Sequence, residues 1–174
     1  MKSGVVAALL AAALVAGGCV SGVTRAPSIQ GQKPGISSSN QLASVSVTFT
    51  DDAKQKVTEN LKFNPDELLS HVKRALDANS LLNSADAAKP TLEVRIKDLR
   101  VRANFTAIVF GFMAGADLVT ADIIIKSPAG REIDRFEVAA SYALGGIGGG
   151  QDTARMGWLY EKFAEETIKE LKKQ

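Results

Sequence analysis

Among 174 residues there is one cysteine, one histidine, one tryptophan and two tyrosines. A single cysteine excludes a disulfide within one chain, and one cysteine with one histidine cannot build a zinc cluster of thiolates or imidazoles. No carboxylate cluster with metal-ligand spacing appears, so neither a metal nor any other cofactor is expected. A surplus of one charge is also missing: 21 Lys and Arg stand against 19 Asp and Glu, a net charge of +2. That balance lacks the basic excess of a nucleic-acid binder, and no aromatics are interleaved with the bases, so nucleic acid is not an expected partner. Long hydrophobic runs are absent as well. The uninterrupted apolar stretch Val5 to Ala16 has twelve residues, where a membrane-spanning helix needs about 20.

What is present begins at that stretch. Met1-Lys2-Ser3 supplies one positive charge, the apolar twelve follow, and Ala16-Gly17-Gly18 brings small side chains just before Cys19. This is the layout of a secretory signal, which places residues 1–18 in a cleaved leader. Cys19 in this position resembles the lipobox of bacterial lipoproteins, in which the thiol is acylated and becomes the mature N-terminus. Ala16 stands where that pattern prefers Leu. The resemblance implies lipidation at Cys19, and Val20 rather than Asp after it implies a periplasm-facing protein of the outer membrane. Two plainer readings stay open: an uncleaved hydrophobic N-terminus, or ordinary cleavage beside an incidental thiol. Residues 19–42, with Pro27, Pro34 and Ser37-Ser38-Ser39, show neither helical nor strand period and read as a flexible tether. Such a coil spans about 26 Å on average.

Residues 43–174 read as one domain. Val45, Val47 and Phe49 alternate as a half-buried strand, which Asp51 and Asp52 are expected to end. Asn64-Pro65-Asp66-Glu67 opens a helix with an N-cap, a proline at the first helical position and a glutamate at the third. Its apolar stripe is Leu68, Leu69, Val72, Ala75 and Leu76, and Asn79-Ser80 stops it. Thr91 to Ala103 is a strand whose apolar parity changes between Ile96 and Leu99, so a bulge is expected near Lys97-Asp98. Leu118 to Lys126 and Arg131 to Tyr142 form a hairpin about the turn Ser127-Pro128-Ala129-Gly130. Met156, Leu159, Tyr160, Phe163, Thr167, Ile168 and Leu171 mark a terminal helix. The expected fold is α/β (α+β): a two-layer sandwich of order β-α-β-β-β-α, with a four-stranded mixed sheet carrying two helices on one face.

Three features bear on function. Phe105 to Ala116 links two strands yet is almost wholly apolar, with three of the seven phenylalanines. Phe105, Ile108, Phe110, Phe112 and Met113 are candidate contacts for a protein partner, a second copy or lipid; the alternative is that they complete the core. Arg95, Lys97, Arg100 and Arg102 are expected along the open sheet face, where they would meet an anionic partner or be paired with Asp122, Glu137 and other acids across the strands. Gly145 to Gly150 precedes the last helix, but Gln151 stands where a phosphate-binding loop requires Lys, so a connector is the better reading. Enzyme readings fare poorly. Ser70-His71-Val72-Lys73 meets S-x-x-K by chance, His71 is expected as a solvated neighbour of Glu67, and Asp51 with Asp52 is the only pair left for a small hydrolase.

Gly111-Phe112-Met113-Ala114-Gly115-Ala116-Asp117, followed by the hairpin strands, the glycine loop and the terminal amphipathic helix, resembles bacterial lipoproteins carrying domain of unknown function 4410. The resemblance spans roughly residues 40–172 and brings no catalytic residues with it. The element order is more distantly similar to curli-secretion and Lpo-type envelope lipoproteins. It implies a non-enzymatic binding or assembly role in the cell envelope, with the membrane held through Cys19 and a protein partner or self-association. The alternative is an oligomeric secretion-channel subunit contacting membrane or neighbour through Phe105–Ala116.

Overall fold

The computed structural model describes residues 21–25, 36–60, 62–102, 115–143 and 152–173. They form one five-stranded sheet with three helices, a mixed α+β arrangement. The elements are β1 (Gly22–Thr24), β2 (Ser44–Phe49), α1 (Asp51–Glu59), α2 (Pro65–Ala78), β3 (Thr91–Arg100), β4 (Asp117–Lys126), β5 (Glu132–Tyr142) and α3 (Asp152–Leu171). The strand order is β1-β5-β4-β3-β2. β2 runs parallel to β3, and α1 with α2 connects them; every other neighbouring pair is antiparallel.

Local chemistry accounts for most of these elements. Asn64 caps α2 by accepting hydrogen bonds from the N–H groups of Asp66 and Glu67 at 3.0 and 3.2 Å. Ser80 takes up a left-handed φ of +56° just beyond the helix. The bulge lies between Ile96 and Asp98, and it returns Leu99 to the buried side shared by Leu92, Val94 and Ile96. In the β4–β5 turn, the Gly130 N–H donates to the Ser127 carbonyl at 2.8 Å, with Gly130 at φ +78°.

All three helices contribute to a single hydrophobic cluster on one face of the sheet. Leu68, Val72 and Leu76 from α2 and Leu159, Tyr160 and Phe163 from α3 meet Ile96, Ala121, Ile123, Phe136 and Val138 there. The whole expected stripe of α3, from Met156 to Leu171, is buried. The phenol of Tyr160 is pushed up to about 12 by burial, and its oxygen accepts the Asn64 N–H at 2.7 Å.

Three expectations are corrected. The helices number three rather than two among the described residues: β2 does end before Asp51 and Asp52, but these acids form the first turn of an unexpected helix, α1, whose N-cap Thr50 accepts the Ala53 N–H at 3.3 Å. Two acids there complement the helix dipole. The sheet has five strands rather than four, because Gly22–Thr24 pairs antiparallel with Glu137–Ala139. Within residues 19–42, the described stretches 21–25 and 36–42 are consequently packed against the domain. Besides β1, Ile36 and Leu42 are buried in the core, and Leu42 donates to the Leu81 carbonyl at 2.8 Å.

Candidate functional site

The helix-free face of the sheet carries a lattice of alternating charge. Glu93, on β3, is 7% exposed. It pairs with Lys126 at 2.5 Å and Arg95 at 3.0 Å and accepts the Thr48 hydroxyl at 2.6 Å. Burial alone would raise its carboxyl, but hydrogen bonds from Lys126, Thr48 and Arg95 outweigh that and hold it at about 2. Lys97 bridges Glu137 at 2.6 Å and Asp122 at 3.4 Å. Arg135 reaches Asp122 at 3.1 Å and Glu132 at 2.7 Å. Beneath this layer Ile124 is fully buried, although its parity sets it on the helix-free side between Glu93 and Arg135. Arg95 and Lys97 therefore lie where the alternation put them, already committed to acids on their own and neighbouring strands.

Arg100 and Arg102 are used differently. Arg100 is exposed, yet its Nε and Nη2 donate to the Ala116 carbonyl at 3.1 and 2.8 Å. Arg102 does not share the open face: it is 6% exposed and faces Asp117, which is fully buried. The Asp117 carboxylate accepts the Arg102 backbone N–H at 2.8 Å and its Nη2 at 3.0 Å, and pairs with Arg155 Nε at 3.2 Å. Arg102 Nη1 also donates to the Gly115 carbonyl at 2.9 Å and the Ala143 carbonyl at 3.2 Å. Arg155 Nη2 donates in turn to the Arg102 carbonyl at 3.1 Å. The reason for the departure is positional. Arg102 lies past the end of β3, so strand alternation no longer governs it, and a buried carboxylate waits beside it.

This cluster gives the Gly115-Ala116-Asp117 element a physical reading. Gly115 has φ +84°, and a Cβ there would sit 2.8 Å from Arg100 Nη2. Ala116 offers the carbonyl that Arg100 grips, and the Asp117 carboxylate is shared between Arg102 and Arg155. Together these residues tie the end of β3, the start of β4, the end of β5 and the first turn of α3 into one corner.

Cys19 and Phe105, Ile108, Phe110, Phe112 and Met113 lie outside the described residues, as does the glycine run 145–150. The flanks of the apolar segment are described, and Arg102 with Gly115 holds them within one hydrogen bond of each other. His71 stands 5.9 Å from the Tyr160 ring in a groove with Arg74, Glu161 and Glu165. It is half-buried there, and burial and Arg74 lower its pKa, so its surroundings extend beyond Glu67. Ser70 donates back to the Asp66 carbonyl at 2.8 Å, as an ordinary helical serine does. Asp51 is almost fully exposed and pairs with Lys54 at 3.1 Å. Among the described residues no group of three His, Cys, Asp or Glu could hold a metal, and no helix is long and apolar enough to cross a membrane.

Residues 23–146 match the family described as Domain of unknown function (DUF4410). The chain belongs to this family. Arg95, Lys97, Arg100, Arg102 and the Gly115-Ala116-Asp117 element all fall within the DUF4410 match, and the family description names no enzymatic activity. No curated protein matches the chain. Similar solved structures include the PelC dodecamer from Paraburkholderia phytofirmans in two space groups, 11% and 12% identical, both at TM-score 0.48. Each covers 84% of this chain, and 97% and 96% of the PelC chains respectively. A minor lipoprotein from Acinetobacter baumannii is 16% identical at TM-score 0.42, covering 74% of this chain and 90% of that one.

Proposed function

We propose that this DUF4410 protein is a lipid-anchored, periplasm-facing domain of the bacterial outer membrane that binds or assembles with envelope partners and carries no catalysis of its own. The observation that supports it is the leader: one lysine, twelve apolar residues and Gly17-Gly18 before the sole cysteine, Cys19. Two or more acyl chains hold a protein stably on a membrane, so Cys19 serves as an anchor rather than a redox or nucleophilic group. The residues proposed for partner contact are Phe105, Ile108, Phe110, Phe112 and Met113. The anionic-partner role of the sheet face is the lesser part of this reading, since Arg95 and Lys97 would first have to release Glu93, Asp122 and Glu137. A hydrolase built on Asp51 and Asp52 draws no support from two first-turn helix acids, one of them 97% exposed.

Membrane fractionation with intact-mass analysis of wild type and Cys19→Ala tests the anchor. Acylated wild type in the outer membrane, with the variant soluble or unprocessed, is the expected result. Wild type that is soluble in the periplasm and carries no acyl mass would overturn the reading. The secretion-channel alternative keeps the same anchor but requires a ring, so the size of the detergent-solubilised lipoprotein separates the two.

A further inference from the structure

β1 is short, but it fixes where the chain enters the fold. Ser21 Oγ accepts the Ser141 N–H at 2.9 Å and donates to the Ser141 carbonyl at 3.4 Å, and Gly22 pairs with Ala139. Cys19 precedes Ser21 by two residues, a reach of about 7 Å at full extension. The proposed anchor therefore emerges beside the C-terminal end of β5 and not at the end of a 26 Å coil.

That corner has a surface suited to lipid. Among the described residues the exposed large hydrophobics are Ile133, 41% exposed, and Trp158, 45% exposed. Trp158 packs edge-on against Tyr142 with ring centroids 5.1 Å apart. The two rings border a depression of about 330 Å³ with Ser141, the residue that holds Ser21. An exposed indole favours the boundary between headgroups and acyl chains, where one part is apolar and the other hydrated; the Tyr142 hydroxyl is buried, so that ring backs Trp158 rather than meeting headgroups. Glu161, Lys162 and Glu165 border the depression on its other side, and Lys162 is engaged by Glu165 and Glu166 at 3.0 and 2.9 Å; that charged side draws no anionic headgroup, and the contact offered is the aromatic one. The roots of the apolar Phe105–Ala116 run, Arg102 and Gly115, share this end of the sheet, since both are tied to Tyr142 or Ala143 through the Arg102 guanidinium. The far end is polar: the Ser127–Arg131 turn and, at the end of α3, Lys172 beside Asn79. Ile133 lies nine residues before Tyr142 on β5, about 30 Å away along the strand. A link of about 7 Å holds the Ser21 end near the surface, and the Ile133 end reaches it only if the strands lie flat on the membrane.

We infer that the end of the sheet carrying Ser21, Tyr142 and Trp158 rests against the lipid surface, with Trp158 at the interface. The inference rests on acylation of Cys19 as proposed above. Trp158 is the only tryptophan, so its fluorescence reports this corner alone. The experiment takes full-length, processed protein whose acyl mass has been verified and reconstitutes it in phosphatidylcholine vesicles carrying a doxyl quencher at carbon 5 of the acyl chain. A second protein, Trp158→Phe with Ile133→Trp, reports the far end; phenylalanine preserves the packing on Tyr142, and position 133 is exposed. Quenching at least about threefold stronger for wild type, with a blue-shifted emission, is expected. Equal quenching of the two proteins, or stronger quenching of the variant, overturns the orientation while leaving the anchor intact. Absence of acyl mass overturns the anchored reading itself, and this inference with it.

Discussion

The sheet face and the sheet end use the same residue types for different purposes. On the face, four bases (Arg95, Lys97, Lys126, Arg135) and four acids (Glu93, Asp122, Glu132, Glu137) form linked ion pairs in which Glu93, Lys97, Asp122 and Arg135 each serve two partners. Most of these side chains are partly solvated, so one pair can be lost while its neighbours compensate. At the end, one carboxylate, Asp117, serves two buried guanidiniums, and backbone carbonyls supply the other contacts. Charge in water is redundant; charge out of water is not.

The comparison breaks most sharply at Asp117. Asp117→Ala leaves Arg102 and Arg155 buried without their shared carboxylate, and should destabilise the chain by about 3–5 kcal/mol, read from urea unfolding. Glu93 lies between the extremes, a face residue that is almost buried. Glu93→Gln should cost about 2 kcal/mol. Its carboxyl is held at about 2 when folded against 4.5 as an ordinary glutamate. The stabilisation is therefore complete above about pH 4.5 and is lost as pH falls towards 2. The variant should show a flatter acid limb of stability against pH than wild type; parallel limbs would remove Glu93 from the account.

Gly115→Ala sharpens the end of the comparison. The tip of Arg100 can swing away from a new Cβ, but φ +84° remains, so a loss of about 1–2 kcal/mol is expected. Adding Arg100→Ala should not restore it; full recovery would mean that the contact, and not the backbone, demands glycine. Smallest of all, Lys97→Ala should change stability by about 0.5 kcal/mol or less despite removing two ion pairs. A loss as large as that of Asp117→Ala would erase the distinction between face and end.

Most of the fold was legible because strong periods mark it. The α3 stripe, the β4–β5 hairpin and the parity change in β3 each repeat over enough residues for the pattern to emerge. α1 and β1 were not legible for the opposite reason. α1 buries Ala53 and packs Val57 only partly, too thin a stripe for a helical period, and its start signal, Thr50, is shared with the end of a strand. β1 has three residues, and three residues show no alternation. The face each side chain occupies was legible to the point where alternation stopped: Arg95 and Lys97 lie on the helix-free face, whereas Arg102 lies beyond the bulged strand. Its partner Asp117 is fifteen residues away and Arg155 fifty-three, a meeting that no local pattern announces. The Gly-Ala-Asp element was visible as a signature, and its cause emerged only with the left-handed glycine and the buried carboxylate.

The account assigns the working surface to the sheet end rather than to the charged face, and thiol labelling tests that most directly. If Cys19 is acylated as proposed, the mature chain has no free thiol, and Phe112→Cys and Lys97→Cys each introduce a unique one. With a water-soluble maleimide on intact envelope membranes, position 97 should label readily. Position 112 should be protected, and become reactive once detergent removes lipid and partners. Reactivity at 112 with protection at 97 would move the working surface to the sheet face, and protection at 112 in both conditions would place Phe112 in the core and contradict the account.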